Sequence, residues 1–485
     1  MMDFTLSYVR SHPWQSWLLG VTLIVLGFFP SLGSSPPLWQ DEIQIIDYGR
    51  VLFDPLSDWA VTWSSHHKAP MPTVCYLGCA GAELAFQVSG SVLGSRLFCL
   101  GGGIAFSVGI LALALSMRLD GFIAVVLALI AFLEAGLLAS YRSGRVDAWS
   151  LALVVAGTWL VHRSVEKNDS RWLIVAGLCL GLAPYVWMRS LMAIPSAAIP
   201  LAWGGTLSGI RVWRMLGFLV ACTLGSIILF SPPAWAGIGA LTEAASSPVA
   251  EFRALGRSGA GHSLSDLMFI VLVDLREMFT LSVPIILLAI VGAYGVHFRR
   301  FGGASHRVLL ASIITATLAA HLRMATGMNP YAGLYWLPLL WLLALEGTRL
   351  CVQRHWLRPV LVGLVGIHLL YNVVGRSYRG WTHRHERGPN FLAPVAEALP
   401  SHLSHIVVSD FRLYFFLRQR GMKPMYLISD VDTTLNEPLF RDQRKFAVIQ
   451  GGPKSLWTNY ASDQLPKPVV IQELPMGYRL ITGSP

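Results

Sequence analysis

Long apolar runs joined by short polar loops pattern most of the chain. The first run, residues 14–32, follows Arg10 and is long enough to cross the roughly 30 Å hydrocarbon core of a bilayer. Further runs lie at 92–117, 122–139, 149–161, 172–187, 191–203, 215–232, 279–296, 308–322, 334–344 and 360–374. At about twenty residues per span, the pattern predicts about eleven transmembrane helices. Residues 73–89 are only moderately apolar and contain Glu83 and Gln87, so a half-inserted or interfacial helix is expected there. A basic flank before an apolar run also fits a secretory signal. No small-residue cleavage pattern follows and more spans do, so the first helix is expected to stay uncleaved.

The pattern changes after Tyr371. Residues 405–409 read as a strand, 411–420 as a short helix, 424–429 and 445–450 as strands, and 469–481 as a hairpin about Pro475-Met476-Gly477. The expected fold class is an all-α polytopic membrane domain, residues 1–375, with a small C-terminal α/β soluble domain, residues 376–485. That second domain has no GxGxxG loop, P-loop or nucleophile elbow, so no catalysis is assigned to it.

Composition agrees with the membrane reading. With 54% hydrophobic and 13% charged residues and a mean hydropathy of +0.54, the chain has too little polar surface for a soluble globule of 485 residues. The net charge of +10 would suit nucleic acid, but its distribution does not. If the N-terminus is cytoplasmic and 73–89 do not cross, each inside loop is basic: Arg118, then Arg163, Lys167 and Arg171, then Arg211 and Arg214, Arg299, Arg300 and Arg307, and Arg349, Arg354 and Arg358. Nucleic acid is therefore excluded as a partner. The opposite face receives the Asp41 loop, residues 141–147, 234–266 and 323–331, and the C-terminal tail. The site and tail are therefore expected on the outer, non-cytoplasmic side of the membrane. The six cysteines lie mostly in apolar stretches without paired ligand spacing and read as small core or lipid-facing residues.

The outer loop 33–91 concentrates the chemistry. Asp41 and Glu42 open the stretch DEIQIIDYGR, whose apolar Ile43, Ile46 and Tyr48 predict an amphipathic helix at the interface. An acid there can take a proton from an acceptor hydroxyl, or it can cap the helix N-terminus. Asp147, in ASYRSGRVDAWS, opens another helix with Arg142 and Arg145 expected beside it, and two flanking guanidiniums favour its charged form; there it orients the first acid's helix, holds a metal or caps. Arg189 and Arg323 are expected at the outer ends of spans, where a guanidinium holds phosphate by paired hydrogen bonds or snorkels to headgroups. Arg376, Arg379, Arg384 and Arg387 follow the last span and break the positive-inside pattern. Tyr331, Tyr335 and Trp336 are candidates to stack on a sugar or prenyl group, or to form an interfacial belt.

An Asp-Glu pair after the first helix, Lys68-Ala69-Pro70 closing the same loop, and Arg145-Val146-Asp147 opening a later helix together resemble membrane glycosyltransferases of the GT-C type. The likeness is greatest to the dolichyl-phosphate-mannose protein mannosyltransferase-like group, which includes the aminoarabinose transferase of lipid A. It covers most of residues 14–374 in arrangement, with dense motifs only before Asp147. The resemblance implies a polyprenyl-phosphate-linked sugar as donor, transfer with inversion on the non-cytoplasmic face, and a lipid, glycan or protein acceptor. It further implies that Asp41 is the catalytic acid, Glu42 its neighbour, Asp147 the second acid, and Lys68 the basic residue of the loop. With Arg145, Arg189 and Arg323, Lys68 would bind the donor phosphate. Relatives commonly carry an acid before the lysine, where this chain has His67. If that acid is a metal ligand, His67 with His66 or His262 would supply imidazoles in its place; the cofactor is left unknown. The incomplete motif set argues against aminoarabinose in particular.

A transporter or flippase of a lipid-linked substrate is the alternative. Transporters place charge near the midplane on broken helices and often show inverted repeats, whereas these charges lie at outer helix ends and no repeat is evident.

Overall fold

The computed structural model describes residues 2–38, 40–57, 59–60, 75–203, 209–230, 283–298, 332–351, 356–387, 389–400, 403, 405–408, 410–426, 446–451 and 469–483. The chain is mostly helical. Helix α1 (Met2–Ser11) leads into α2 (Pro13–Phe28), then α3 (Gln40–Phe53), α4 (Tyr76–Ser89), α5 (Val92–Ser116), α6 (Gly121–Leu133) and α7 (Ala135–Arg142). There follow α8 (Asp147–Lys167), α9 (Arg171–Val186), α10 (Gly209–Leu229), α11 (Val283–Phe298), α12 (Leu337–Cys351) and α13 (Leu357–His368).

Among the described residues four helices are long and apolar enough to cross a membrane: Pro13–Ser31, Val92–Ser116, Ile210–Leu229 and Leu357–Thr382. The pair α6 and α7 makes a fifth if it counts as one bent span. The chain is an integral membrane protein. The eleven spans expected from hydropathy are not all present as continuous helices, and residues 308–322 lie outside the described residues.

Two breaks have local causes. Glu134 leaves the helical region (φ −54°, ψ 130°), and its carboxylate accepts the Leu137 amide at 2.8 Å. It thereby caps α7, which bends from α6 by 53°. Residues 191–203, expected as one span, instead form 3-10 turns Met188–Met192 and Ile194–Ala198 and the short helix Ile199–Trp203. Pro195 and Pro200 each remove a backbone donor that a continuous helix needs.

Inside the helical body α8 packs between α5 and α9, and α9 between α8 and α10. Polar side chains tie the first span in: the Trp17 indole donates to Ser107 Oγ at 2.9 Å, and Ser107 donates to the Ala128 carbonyl at 2.6 Å. The last span runs without interruption from α13 through a π turn, Leu369–Gly375, to Thr382.

The C-terminal segment carries helix α14 (Phe411–Gln419) and a five-stranded sheet. Its strands are β1 (His405–Val408), β2 (Pro424–Tyr426), β3 (Phe446–Gly451), β4 (Val469–Glu473) and β5 (Tyr478–Gly483), in the order β2-β1-β3-β5-β4. The β1 strand pairs parallel with β2 and β3, and β5 pairs antiparallel with β3 and β4.

Helix α3 lies between two apolar cores. Ile45, Tyr48 and Val51 are buried in the membrane-helix core, while Ile43 and Ile46 join Leu413, Tyr414, Phe415 and Tyr478 in the C-terminal one. Apolar side chains thus leave on two sides of one helix. That explains why α3 buries more than an amphipathic interfacial helix would.

Helices α11 and α12 approach closely because each presents a glycine. A Cβ at Gly347 would run into the Leu288 carbonyl, and one at Gly292 into that of Leu343. Gly347→Leu should therefore force the helices apart and destabilise the detergent-solubilised protein by about 1–3 kcal/mol, read as a lower midpoint in thermal unfolding.

Candidate functional site

Asp41 and Glu42 both fall in the first turn of α3, where the helix dipole favours carboxylates. Their surroundings differ sharply. Glu42 is fully buried and held by a two-pronged guanidinium: Arg96 Nε donates to Oε1 at 2.7 Å and Nη2 to Oε2 at 2.9 Å. Arg96 Nη1 also donates to the Leu32 and Pro36 carbonyls at 2.7 and 3.0 Å. This pair fastens α3 to α5 and to the turn after the first span. Burial pushes the Glu42 carboxyl above its ordinary range, and Arg96 opposes the rise.

Asp41, one residue earlier, keeps a side chain 30% exposed and is ion-paired to Arg145 Nη1. Arg145 sits in the turn before α8, which Gly144 makes with φ +70°. A Cβ on Gly144 would lie 2.6 Å from Glu42 Oε1, so the turn is pressed against α3. Arg145 is buried and donates to Asp147 as well, Nε to Oδ2 at 2.8 Å and Nη2 to Oδ1 at 3.3 Å. Asp147 receives two further bonds, from Ser140 Oγ at 3.0 Å and from the Tyr335 hydroxyl. One guanidinium is therefore shared by a buried, saturated carboxylate and a partly exposed one.

Arg189 approaches this group across Trp187. The Arg145 and Arg189 guanidinium carbons lie 5.4 and 6.0 Å from the indole centroid. The Nη1 of Arg189 is buried and has no hydrogen-bond partner among the described residues. A cation with an unpaired donor, sharing the Trp187 ring with Arg145, can receive an anionic group.

Asp41, Arg145 and Asp147 are thus brought together, with Arg189 at their edge and Glu42 set into the frame behind. Arg142, expected beside Asp147, is elsewhere. From α7 it donates to Ser31 Oγ at 2.9 Å and the Ser35 carbonyl at 3.1 Å, bracing the end of the first span. Tyr335, a candidate to stack on a sugar or prenyl group or to join an interfacial belt, hydrogen-bonds Asp147. Lys68, His66, His67, His262 and Arg323 lie outside the described residues, and among those that are described no three His, Cys, Asp or Glu side chains cluster as a metal site. Sequence reasoning missed Arg96. Its signal was a lone arginine inside an apolar run, which lipid does not tolerate without a partner.

No protein family's sequence profile matches the chain, and no curated protein matches it. Among solved structures it is similar to ArnT from Cupriavidus metallidurans bound to undecaprenyl phosphate, at 13% identity over 96% of this chain and 99% of that one, with a TM-score of 0.46. The apo state of the same ArnT gives 13% identity over 96% and 98%, with a TM-score of 0.43. At that level the likeness carries no argument about fold or chemistry.

Arg96→Met should cost about 3–5 kcal/mol by leaving the Glu42 carboxyl without its partner in the interior, while Glu42→Gln combined with Arg96→Met should recover much of that loss. Thermal unfolding of the purified proteins compares the two; equal losses would mean that the pair is not the fastening it looks to be.

Proposed function

We propose that the chain is an inverting glycosyltransferase that moves a sugar from a polyprenyl-phosphate donor to an acceptor at the outer face of a bacterial inner membrane. The observation that carries this reading is the shared guanidinium. Asp41 is partly exposed yet held by Arg145, which is itself anchored on buried Asp147, and Arg189, which shares the Trp187 ring with Arg145, has a donor without a partner among the described residues.

In this mechanism the donor phosphate docks on Arg189 and Arg145, with Lys68 and Arg323 as further cations. Phosphate competes with Asp41 for Arg145 and so frees a carboxylate lone pair. Asp41 then takes the proton from the acceptor hydroxyl as the hydroxyl oxygen attacks the anomeric carbon. The bond to the phosphate oxygen breaks on the opposite side, inverting the centre. The electron pair leaves with polyprenyl phosphate, whose charge the guanidiniums stabilise. Asp147 and Tyr335 fix Arg145 and do not touch substrate. Glu42 holds the α3 N-terminus in place through Arg96.

The donor's prenyl tail would lie between apolar helices and its sugar in the outer water layer. Residues 376–485 would lie on the same outer side, packed on α3 through α14. The class of sugar, hexose or pentose, and the choice among a lipid, glycan or protein acceptor are left to assay.

Asp41→Asn should slow release of polyprenyl phosphate from a labelled lipid-linked sugar pool by about a hundredfold or more at equal expression in membranes. Release at the wild-type rate would remove Asp41 from the mechanism. Arg189→Met should raise KM for the donor several-fold with a smaller change in kcat, since the group it loses binds phosphate in both ground and transition states.

A further inference from the structure

A second ionic cluster lies on α3, less than two turns beyond Asp41, and draws its partners from the C-terminal segment. Asp47, buried on α3, accepts the Tyr414 hydroxyl of α14 and lies 3.6 Å from Arg418 Nη1. Arg418 Nη2 donates to both oxygens of buried Glu83 on α4, at 2.7 and 2.9 Å. Arg50 of α3 lies 3.4 Å from Asp47 and donates to the Pro424 carbonyl at the start of β2, at 3.1 Å. The Trp59 indole donates to the same carbonyl at 3.2 Å, with Arg50 stacked over its ring.

This cluster is a poor source of stability. Among the described residues Asp47 Oδ2, Arg50 Nε and Nη1, and Arg418 Nη1 are buried without a hydrogen bond. Incompletely bonded buried charges cost about as much in desolvation as they return, and an apolar contact of the same size would hold the segment more firmly. What such a cluster supplies is direction. Apolar contacts let a helix slide or turn, whereas Tyr414 on Asp47 and Arg418 on Glu83 admit one register of α3 against α14. A further ionic constraint on α3 is Glu42 with Arg96, one residue from Asp41.

We propose that the C-terminal segment is part of the transfer machinery, with Arg418 and Tyr414 as positioning residues that set the register of α3 and, through it, the place of Asp41. This rests on the reading of Asp41 as the proton acceptor. Arg418 touches no substrate in this account. It acts over a distance that a shift of about 1 Å in α3 would translate into a hundredfold change in rate.

The test compares the full-length wild type with Arg418→Met, Glu83→Gln/Arg418→Met and Arg418→Lys. Each is assayed for polyprenyl phosphate release, thermal unfolding and hydrogen exchange of residues 40–53. The double variant leaves no unpaired Glu83 charge, so it should unfold near the wild-type temperature. Its kcat should still fall about tenfold to a hundredfold at unchanged donor KM, with faster exchange confined to α3. Arg418→Lys should recover part of the kcat. A double variant that regains both stability and kcat would overturn the proposal and make the cluster simple glue. Exchange in α3 matching the wild type would overturn it as well. If the wild type releases no polyprenyl phosphate, the reading of Asp41 fails instead, and the exchange data still decide whether Arg418 sets α3.

Discussion

The arrangement of this protein depends on the buried guanidinium of Arg145. A buried arginine must be paired, and here it is paired twice, by Asp147 on its own helix turn and by Asp41 across the fold. Asp147 is saturated by Arg145, Ser140 and Tyr335, so it serves as the fixed anchor. Asp41 is the partly exposed partner, the one that phosphate replaces in the proposed mechanism. An ion pair with one rigid and one accessible member is a natural place for a phosphate to enter.

The second constraint is the position of α3 between two cores. A helix that buries one face can rock on it, but α3 buries Ile45 and Tyr48 on one side and Ile43 and Ile46 on the other. Its charges then fix what the apolar faces leave free. Glu42 on Arg96 settles the N-terminal turn, and Asp47 with Glu83 and Arg418 settles the middle. The acidic loop is organised from both the membrane side and the C-terminal side.

Much of this was legible in the sequence, and the illegible part has a physical pattern. Hydropathy located the long spans, and the spacing of Ile43, Ile46 and Tyr48 located α3. The structure pairs Asp41 with Arg145, which also holds Asp147, and motif order alone does not give that contact. Averaging over a window is blind to single residues that interrupt a helix, so the breaks at Glu134 and at Pro195 and Pro200 were missed. The same averaging hid Arg96, one charge in a long apolar run. Arg142 is close to Asp147 in sequence but not in space, because α7 directs its guanidinium to Ser31. Nothing local marks Asp47 and Tyr414 as partners, since 367 residues separate them. Only the packing of α14 on α3 makes that pair.

The central claim is that Asp41 and Asp147 act as one unit through Arg145. The most direct test is a double-mutant cycle on kcat for polyprenyl phosphate release, with Asp41→Asn and Asp147→Asn made singly and together. Groups that act through one shared cation lose their effect together, so the double variant should be no slower than the slower single. Losses that multiply would show that the two acids act independently, and the account built on the shared guanidinium would be wrong.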